Sequence, residues 1–230
     1  MASWYGVAGD GLRWIYDRRI DAPPILDQAR DFPGGAEFGA AWENLRDEAL
    51  TVAGMFDRIP RFHEIMPQQT AISVNDGRDW RMHVMKAYGV EVRENLARCP
   101  ALSALLARHP DVVSATYSYL APGKHIPEHR GPFRGILRFH VGLSMPRDEN
   151  GELGATLWID GEPHRLADGE TLLWDDTYRH EVLNATNKVR IALLLDVWRP
   201  HMPADMVALS SLLIGTIGAV ARFRPQVFAG

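Results

Sequence analysis

Three stretches carry most of the reactive side chains in this 230-residue chain. The first runs from Ser118 through Pro122-Gly123 and His129-Arg130-Gly131-Pro132 to Arg138-Phe139-His140. The second is Asp175-Asp176-Thr177-Tyr178-Arg179-His180-Glu181-Val182, and the third is Lys188-Val189-Arg190 at the head of a long apolar run. Neutral imidazole is a good ligand for divalent iron, and two histidines with one carboxylate make open non-haem iron sites. His129 and His180 supply two imidazoles, but Gly131 stands two residues after His129, where such sites carry the carboxylate. Iron held there would keep an open position at Gly131 for water or a halide. Asp175 and Asp176 are the nearest acids, read as bonding the turn or orienting the His180 ring from behind. Glu128 neighbours His129 and is expected to point elsewhere.

Two of nine histidines prove little alone, because short motif matches are weak. Their basic neighbours say more. Arg138 and His140 lie two apart, so on a strand they share one face while Leu137, Phe139 and Val141 take the other. An inward cation is costly unless an anion meets it. Arg190 repeats the anomaly in Val189-Arg190-Ile191-Ala192-Leu193-Leu194-Leu195. A guanidinium fork binds a carboxylate through two hydrogen bonds, so these positions suit an organic acid. In the competing reading Arg190 reaches the rim and Arg138 pairs with a neighbouring acid.

The elements that must position these residues change period near Pro110. Before it, residues 1–37 read as irregular, Phe38 to Phe56 as an amphipathic helix, and 59–89 as loop with a turn at Asn75-Asp76-Gly77. Val90 to Arg108 returns to helical spacing, with Pro100 opening a second helix. After Pro110, short β-branched and aromatic runs at 114–120, 136–144, 155–160, 171–174, 181–184 and 189–198 alternate with turns, which indicates an antiparallel sandwich or barrel. The expectation is one α+β domain over 1–230: helical to 110, a jelly-roll core at 111–200, and a C-terminal helix and tail at 201–230.

The set Ser118, Pro122-Gly123, His129-x-Gly131-Pro132, Arg138-x-His140-x-Gly142-Leu143, Asp175-Asp176, His180-Glu181, Arg190 and Asp196-Val197-Trp198-x-Pro200 resembles the aspartyl/asparaginyl β-hydroxylase family. The resemblance covers roughly residues 60–200. It implies a double-stranded β-helix and an oxygenase using Fe(II), 2-oxoglutarate and O2 to activate an aliphatic C–H bond. By that likeness His129 and His180 are the iron ligands. Ser118, Arg138, His140 and Arg190 would bind 2-oxoglutarate, with Leu120 and Val182 lining its pocket. Gly131 occurs in hydroxylases of the family, yet in the wider superfamily the same replacement admits chloride, so hydroxylation is favoured with halogenation as runner-up. A non-redox, cupin-like organic-acid binder is the rival of another class.

Arg179 departs from the family pattern, which places an acid or a neutral residue before the second histidine. It, Trp80 and Arg81 are the candidate substrate contacts, the last two in a pre-barrel segment that would cover the site. The expected substrate is a small polar or anionic molecule of amino-acid, nucleotide or natural-product type. A net charge of -4 argues against a nucleic-acid polymer as partner. Cys99 stands alone, so there is no internal disulfide. No signal peptide is visible. The uncharged run from Met206 to Ala221 falls short of the ~20 residues that span a bilayer. A packed helix there, no membrane partner and a cytoplasmic location are therefore expected.

Overall fold

The structure is a computed structural model and describes residues 4–222. Ten strands are present among them: β1 (Trp80–Ala87), β2 (Val90–Glu91), β3 (Val112–Leu120), β4 (His125–His129), β5 (Ile136–Ser144), β6 (Ala155–Ile159), β7 (Glu162–His164), β8 (Thr171–Trp174), β9 (His180–Asn184) and β10 (Arg190–Trp198). They form two antiparallel sheets, ordered β2-β1-β3-β10-β5-β8 and β4-β9-β6-β7. The eight strands from β3 to β10 are the four-on-four jelly roll of a double-stranded β-helix, and β1 and β2 extend the larger sheet. The fold is α+β.

Strand alternation decides where the polar residues go. Ile191, Leu193, Leu195 and Val197 of β10, with Leu137, Phe139, Val141 and Leu143 of β5, turn to one side of the larger sheet. There they bury against Leu45, Ala49 and Val52 of the Trp42–Ala53 helix and Leu102, Leu105 and Leu106 of the Pro100–Arg108 helix. Each such burial contributes about 1.5–3 kcal/mol, so the register is strongly fixed. The intervening residues, Arg138 and His140 on β5 and Arg190 and Asp196 on β10, are thereby forced to face the smaller sheet. Glu48 ties the two covering helices together by accepting from the N–H groups of Ala101 and Leu102 and from the Tyr117 hydroxyl.

Several sequence expectations are corrected. The segment read as loop before Gly89 contains β1, whose Trp80 turns into the barrel while Arg81 and His83 are buried on its other face. The 38–56 helix is broken at Ala41 into Gly35–Ala40 and Trp42–Ala53. Residues read as irregular near the start form the Trp4–Asp17 helix. Val90 to Arg108 is not continuous helix: β2 and a single turn at Arg93–Leu96 precede the helix that Pro100 opens. His129 ends a strand rather than a turn. Pro127 lies within that strand, which is tolerated because β4 is the edge of its sheet. The tail holds the Ala204–Arg222 helix, and residues beyond 222 lie outside the described ones.

Candidate active site

His129 and His180 face each other directly. They are register partners between β4 and β9, and their ring centroids are 4.0 Å apart. Each ring is fixed by its own backbone neighbourhood: Nδ1–H of His129 donates to the Pro127 carbonyl at 2.8 Å, and Nδ1–H of His180 to the Tyr178 carbonyl at 2.9 Å. With Nδ1 committed as donor, Nε2 of each ring presents a lone pair, which is the tautomer a metal requires. Burial lowers His129 to about 4 and holds His180 well below its ordinary value, so both rings are neutral at pH 7. Trp174 stands edge-on between the inner histidines, 4.7 Å from His180 and 5.6 Å from His140. Among the described residues no three His, Cys, Asp or Glu side chains are grouped to hold an ion, so the chain offers two imidazoles.

The space beside Gly131 is occupied by the protein itself. Its N–H donates to the Asp176 carbonyl at 2.6 Å, and a Cβ at Gly131 would lie 2.6 Å from Asp176 Oδ2 and closer still to the rest of that carboxylate. The open position expected at Gly131 is thus bordered by a buried carboxylate. Burial raises Asp176 to about 6 against the opposing pull of Arg138, and its Oδ1 accepts no hydrogen bond.

Arg138 departs from the expectation of a guanidinium awaiting an organic acid. Its Nη2 is 2.8 Å from Asp196 Oδ1 and 3.4 Å from Asp176 Oδ2. Burial opposes its charge, but these two carboxylates outweigh burial and raise its pKa. Arg190 is the contrary case. It is buried, its Nε has no hydrogen-bond partner, and no acid pairs with it among the described residues. Burial alone lowers it to about 10. It lines a small pocket with Met145, Thr156, Leu157, His164, Leu166 and Val182, and the His164 Nε2 in that pocket is also buried without a partner. His140 Nδ1 is a third such orphan; burial first, then Arg190 and Arg138, keep that ring neutral.

Val182 follows His180 by two on β9, a step of about 7 Å, and lines the Arg190 pocket, so one strand face leads from the histidine pair toward the arginine. Ser118 and Leu120 lie on β3 beside Arg190, and the Trp80 indole N–H donates to Ser118 Oγ at 3.1 Å. Leu120, Trp80, Trp174 and Val182 belong to one buried cluster.

Of the three candidate substrate contacts, Arg179 and Arg81 are engaged away from the histidine pair and Trp80 packs inward. Arg179 is 67% exposed and pairs with Glu128 at 2.6 Å on the outer surface, since a neighbour of an inward strand residue points outward. Arg81 is buried, donating to the Ile59 carbonyl at 2.7 Å and paired with Asp79 at 2.8 Å. Trp80 is inner wall rather than lid, stacked on Phe62 at 3.8 Å. Sequence reasoning missed Trp174 and His164. Trp174 had a usable signal, an aromatic two residues after Leu172 on an inward strand face; His164 had none.

One jelly roll thus holds two neutral imidazoles and a buried, acid-free arginine. The chain belongs to the aspartyl/asparaginyl β-hydroxylase family, whose profile matches residues 39–200. It is 34% identical over 201 residues to the ornithine lipid ester-linked acyl 2-hydroxylase of Rhizobium tropici, covering 86% of this chain and 69% of that protein. It is 26% identical over 170 residues to human aspartyl/asparaginyl beta-hydroxylase, covering 70% of this chain but only 20% of the human protein. Among solved structures a Pseudomonas putida prolyl-4-hydroxylase matches 68% of this chain and 86% of its own, at a TM-score of 0.42 and 16% identity.

Proposed function

We propose that this protein is an Fe(II)- and 2-oxoglutarate-dependent hydroxylase of an aliphatic carbon. The observation that carries this reading is Arg190. A buried guanidinium with no anion is unfavourable, and it shares its pocket with Val182, one strand step along β9 from an imidazole in the metal-binding tautomer. The residues present fit the cofactors. His129 and His180 would hold the iron, Arg190 with Ser118 and His164 would receive the far carboxylate of 2-oxoglutarate, and His140 and Arg138 would face its keto-acid end. When bound, iron and 2-oxoglutarate supply oxidative power from O2, with succinate and carbon dioxide as co-products. The chain's own part is to keep both histidines neutral, to orient the diacid along β9, and to exclude water with Trp80, Leu120, Trp174 and Val182.

Hydroxylation is favoured over halogenation because the Asp176 carboxylate borders the space beside Gly131. A buried carboxylate there repels chloride. For the substrate, the Rhizobium tropici relative supports the acyl chain of a polar lipid, ahead of the small polar or anionic molecule that the Trp80 and Arg81 segment suggests. The test is anaerobic titration of the purified protein with ferrous iron and 2-oxoglutarate, followed by visible absorbance. A charge-transfer band is expected that His129→Ala and His180→Ala each abolish; a band retained in both variants removes these residues from the metal. Under oxygen, lipid hydroxylated on its acyl chain is the expected product in chloride buffer, and a chlorinated product would overturn the hydroxylase reading.

A further inference from the structure

The Ala204–Arg222 helix has an unusual outer face. Met206, Ser210, Ile214, Gly218 and Ala221 are buried, whereas Leu212 is 68% exposed and Val220 57%, with Val207 also exposed. No charged residue occurs between Asp205 and Arg222, although a surface helix ordinarily carries its charges on the outward face. The Trp4–Asp17 helix lies beside it. The Tyr16 and Ser210 hydroxyls are 2.7 Å apart, and Arg19, just past that helix, pairs with Asp205 at 2.8 Å. This second helix turns out Trp14, 58% exposed, and Ile15.

Both helices sit on the segment that follows His129. Arg13 donates to the Gly131 carbonyl at 2.8 Å, Tyr16 meets the Phe133 ring at 6.0 Å, and Ser210 Oγ fills the space a Cβ at Gly135 would need. Most acids around this face are already paired. Asp10, Asp17, Asp205 and Glu128 each meet an arginine, and Asp21 is exposed. Arg18 instead lies over the Trp14 ring at 3.8 Å, and Arg130 donates to the Thr177 carbonyl; among the described residues neither forms an ion pair, although Asp17 is near enough to favour the Arg130 charge. An exposed tryptophan flanked by arginine beside an uncharged apolar face is the composition of an in-plane interfacial helix, with aromatic and cation at headgroup level.

We propose that the outward faces of these two helices dock on an anionic lipid bilayer, placing the His129 segment at its surface. The helix lies along the membrane rather than across it, because its inner face is committed to Tyr16, Phe133 and Gly135. Anionic headgroups complement Arg18 and Arg130. The inference deepens the acyl-chain reading, since a bilayer-resident substrate would meet the site from this side, but the surface is testable without turnover.

The test is flotation of the full-length protein with vesicles of phosphatidylcholine alone and of phosphatidylcholine mixed with phosphatidylglycerol. Co-flotation with the mixed vesicles is expected, weakened by salt. The pair Leu212→Glu and Val220→Glu should lower it at least about tenfold, since each removes a fully buried side chain from the bound state. Both positions are exposed, so melting temperature and anaerobic iron and 2-oxoglutarate binding should be unchanged. Wild-type protein that binds neither vesicle, or a double variant that floats as well as wild type, overturns the proposal. So does a wild-type dimer in light scattering that the double variant dissolves, which assigns the face to a second copy. If vesicle binding fails while the anaerobic band persists, docking is wrong and the hydroxylase reading stands.

Discussion

Gly131 and Asp176 share a space that admits one side chain. The Gly131 N–H donates to the Asp176 backbone carbonyl at 2.6 Å, and the carboxylate of the same residue lies where a Cβ at position 131 would go. The missing carboxylate after His129 is therefore not simply an absence. The loop from β8 to β9 brings its own acid against that position, while Arg138, itself paired with Asp196, meets the acid's other side.

Gly131→Ala should consequently destabilise the protein. Overpacking of this kind costs about 1–3 kcal/mol, and melting temperature falls roughly 2–4 °C per kcal/mol in a domain of this size. In the Asp176→Ala background the same substitution should cost little, because the opposing carboxylate is gone. Thermal melts of the four proteins form a double-mutant cycle with a clear coupling energy. Additive effects would mean that the two residues do not compete for space.

Arg190 makes a different prediction. Its lowering from 12.5 to about 10 corresponds to about 3 kcal/mol against the folded, acid-free state. Folded and unfolded chains are both protonated below pH 10, so this cost is constant through neutral pH and fades only as pH rises above 10. Arg190→Met should therefore leave the melting temperature unchanged or raise it. It should also abolish the upward shift that 2-oxoglutarate gives wild-type protein and raise the KM for it about 10- to 100-fold, the value of charge-assisted hydrogen bonds. His164→Leu should give a smaller change in the same direction. A Met variant that still melts higher with 2-oxoglutarate would move the acid's anchor elsewhere.

The inward charges were legible because strand alternation is rigid: once Leu137, Phe139 and Val141 claim one face, Arg138 and His140 take the other. What alternation cannot supply is the partner across the sheet. Asp196 faces Arg138 as its register partner on β10, 58 residues away, and only strand order brings them together. Hence sequence alone left open whether Arg138 awaits an organic acid or pairs with a neighbouring one, whereas the fold neutralises Arg138 and leaves Arg190 without an acid. β1 escaped notice because Arg81, His83 and Lys86 interrupt its apolar pattern, and their burial depends on the 57–61 segment and the helices packed over it. The Trp4–Asp17 helix was missed because Gly9 and Gly11 depress helix propensity, which the contacts with Phe133 and Ser210 override.

His83 sets a pH dependence outside the active site. It is buried on β1 with Nε2 lacking a partner, and burial first, then Arg98, lower it to about 4. Between pH 6.5 and 4 the unfolded chain binds a proton here that the folded chain refuses. Stability should therefore fall as pH drops through that window and level off below it. Urea melts of wild type and His83→Gln at stepwise pH should show a shallower decline in the variant, by up to one proton's worth of slope. Parallel slopes would place the acid sensitivity in other groups.

Asp175 has to hold the loop that delivers His180. It is fully buried, pairs with Arg134 at 3.0 Å and with Arg199, and accepts from the Thr177 N–H at 3.0 Å and from the Thr177 hydroxyl at 2.6 Å. Asp175→Asn keeps the shape but removes the charge that two buried guanidinium groups share. Leaving buried charge uncompensated costs about 3–5 kcal/mol. Because Thr177 precedes Tyr178, whose carbonyl fixes the His180 tautomer, the loss should reach the metal as well as the fold. The variant is expected to melt well below wild type and, at temperatures where it is still folded by circular dichroism, to bind ferrous iron more weakly. Asp31→Asn, another buried aspartate but paired with a solvent-exposed Arg30, should leave iron affinity unchanged. Equal iron affinity in Asp175→Asn and wild type would show that the tautomer of His180 is held without this network.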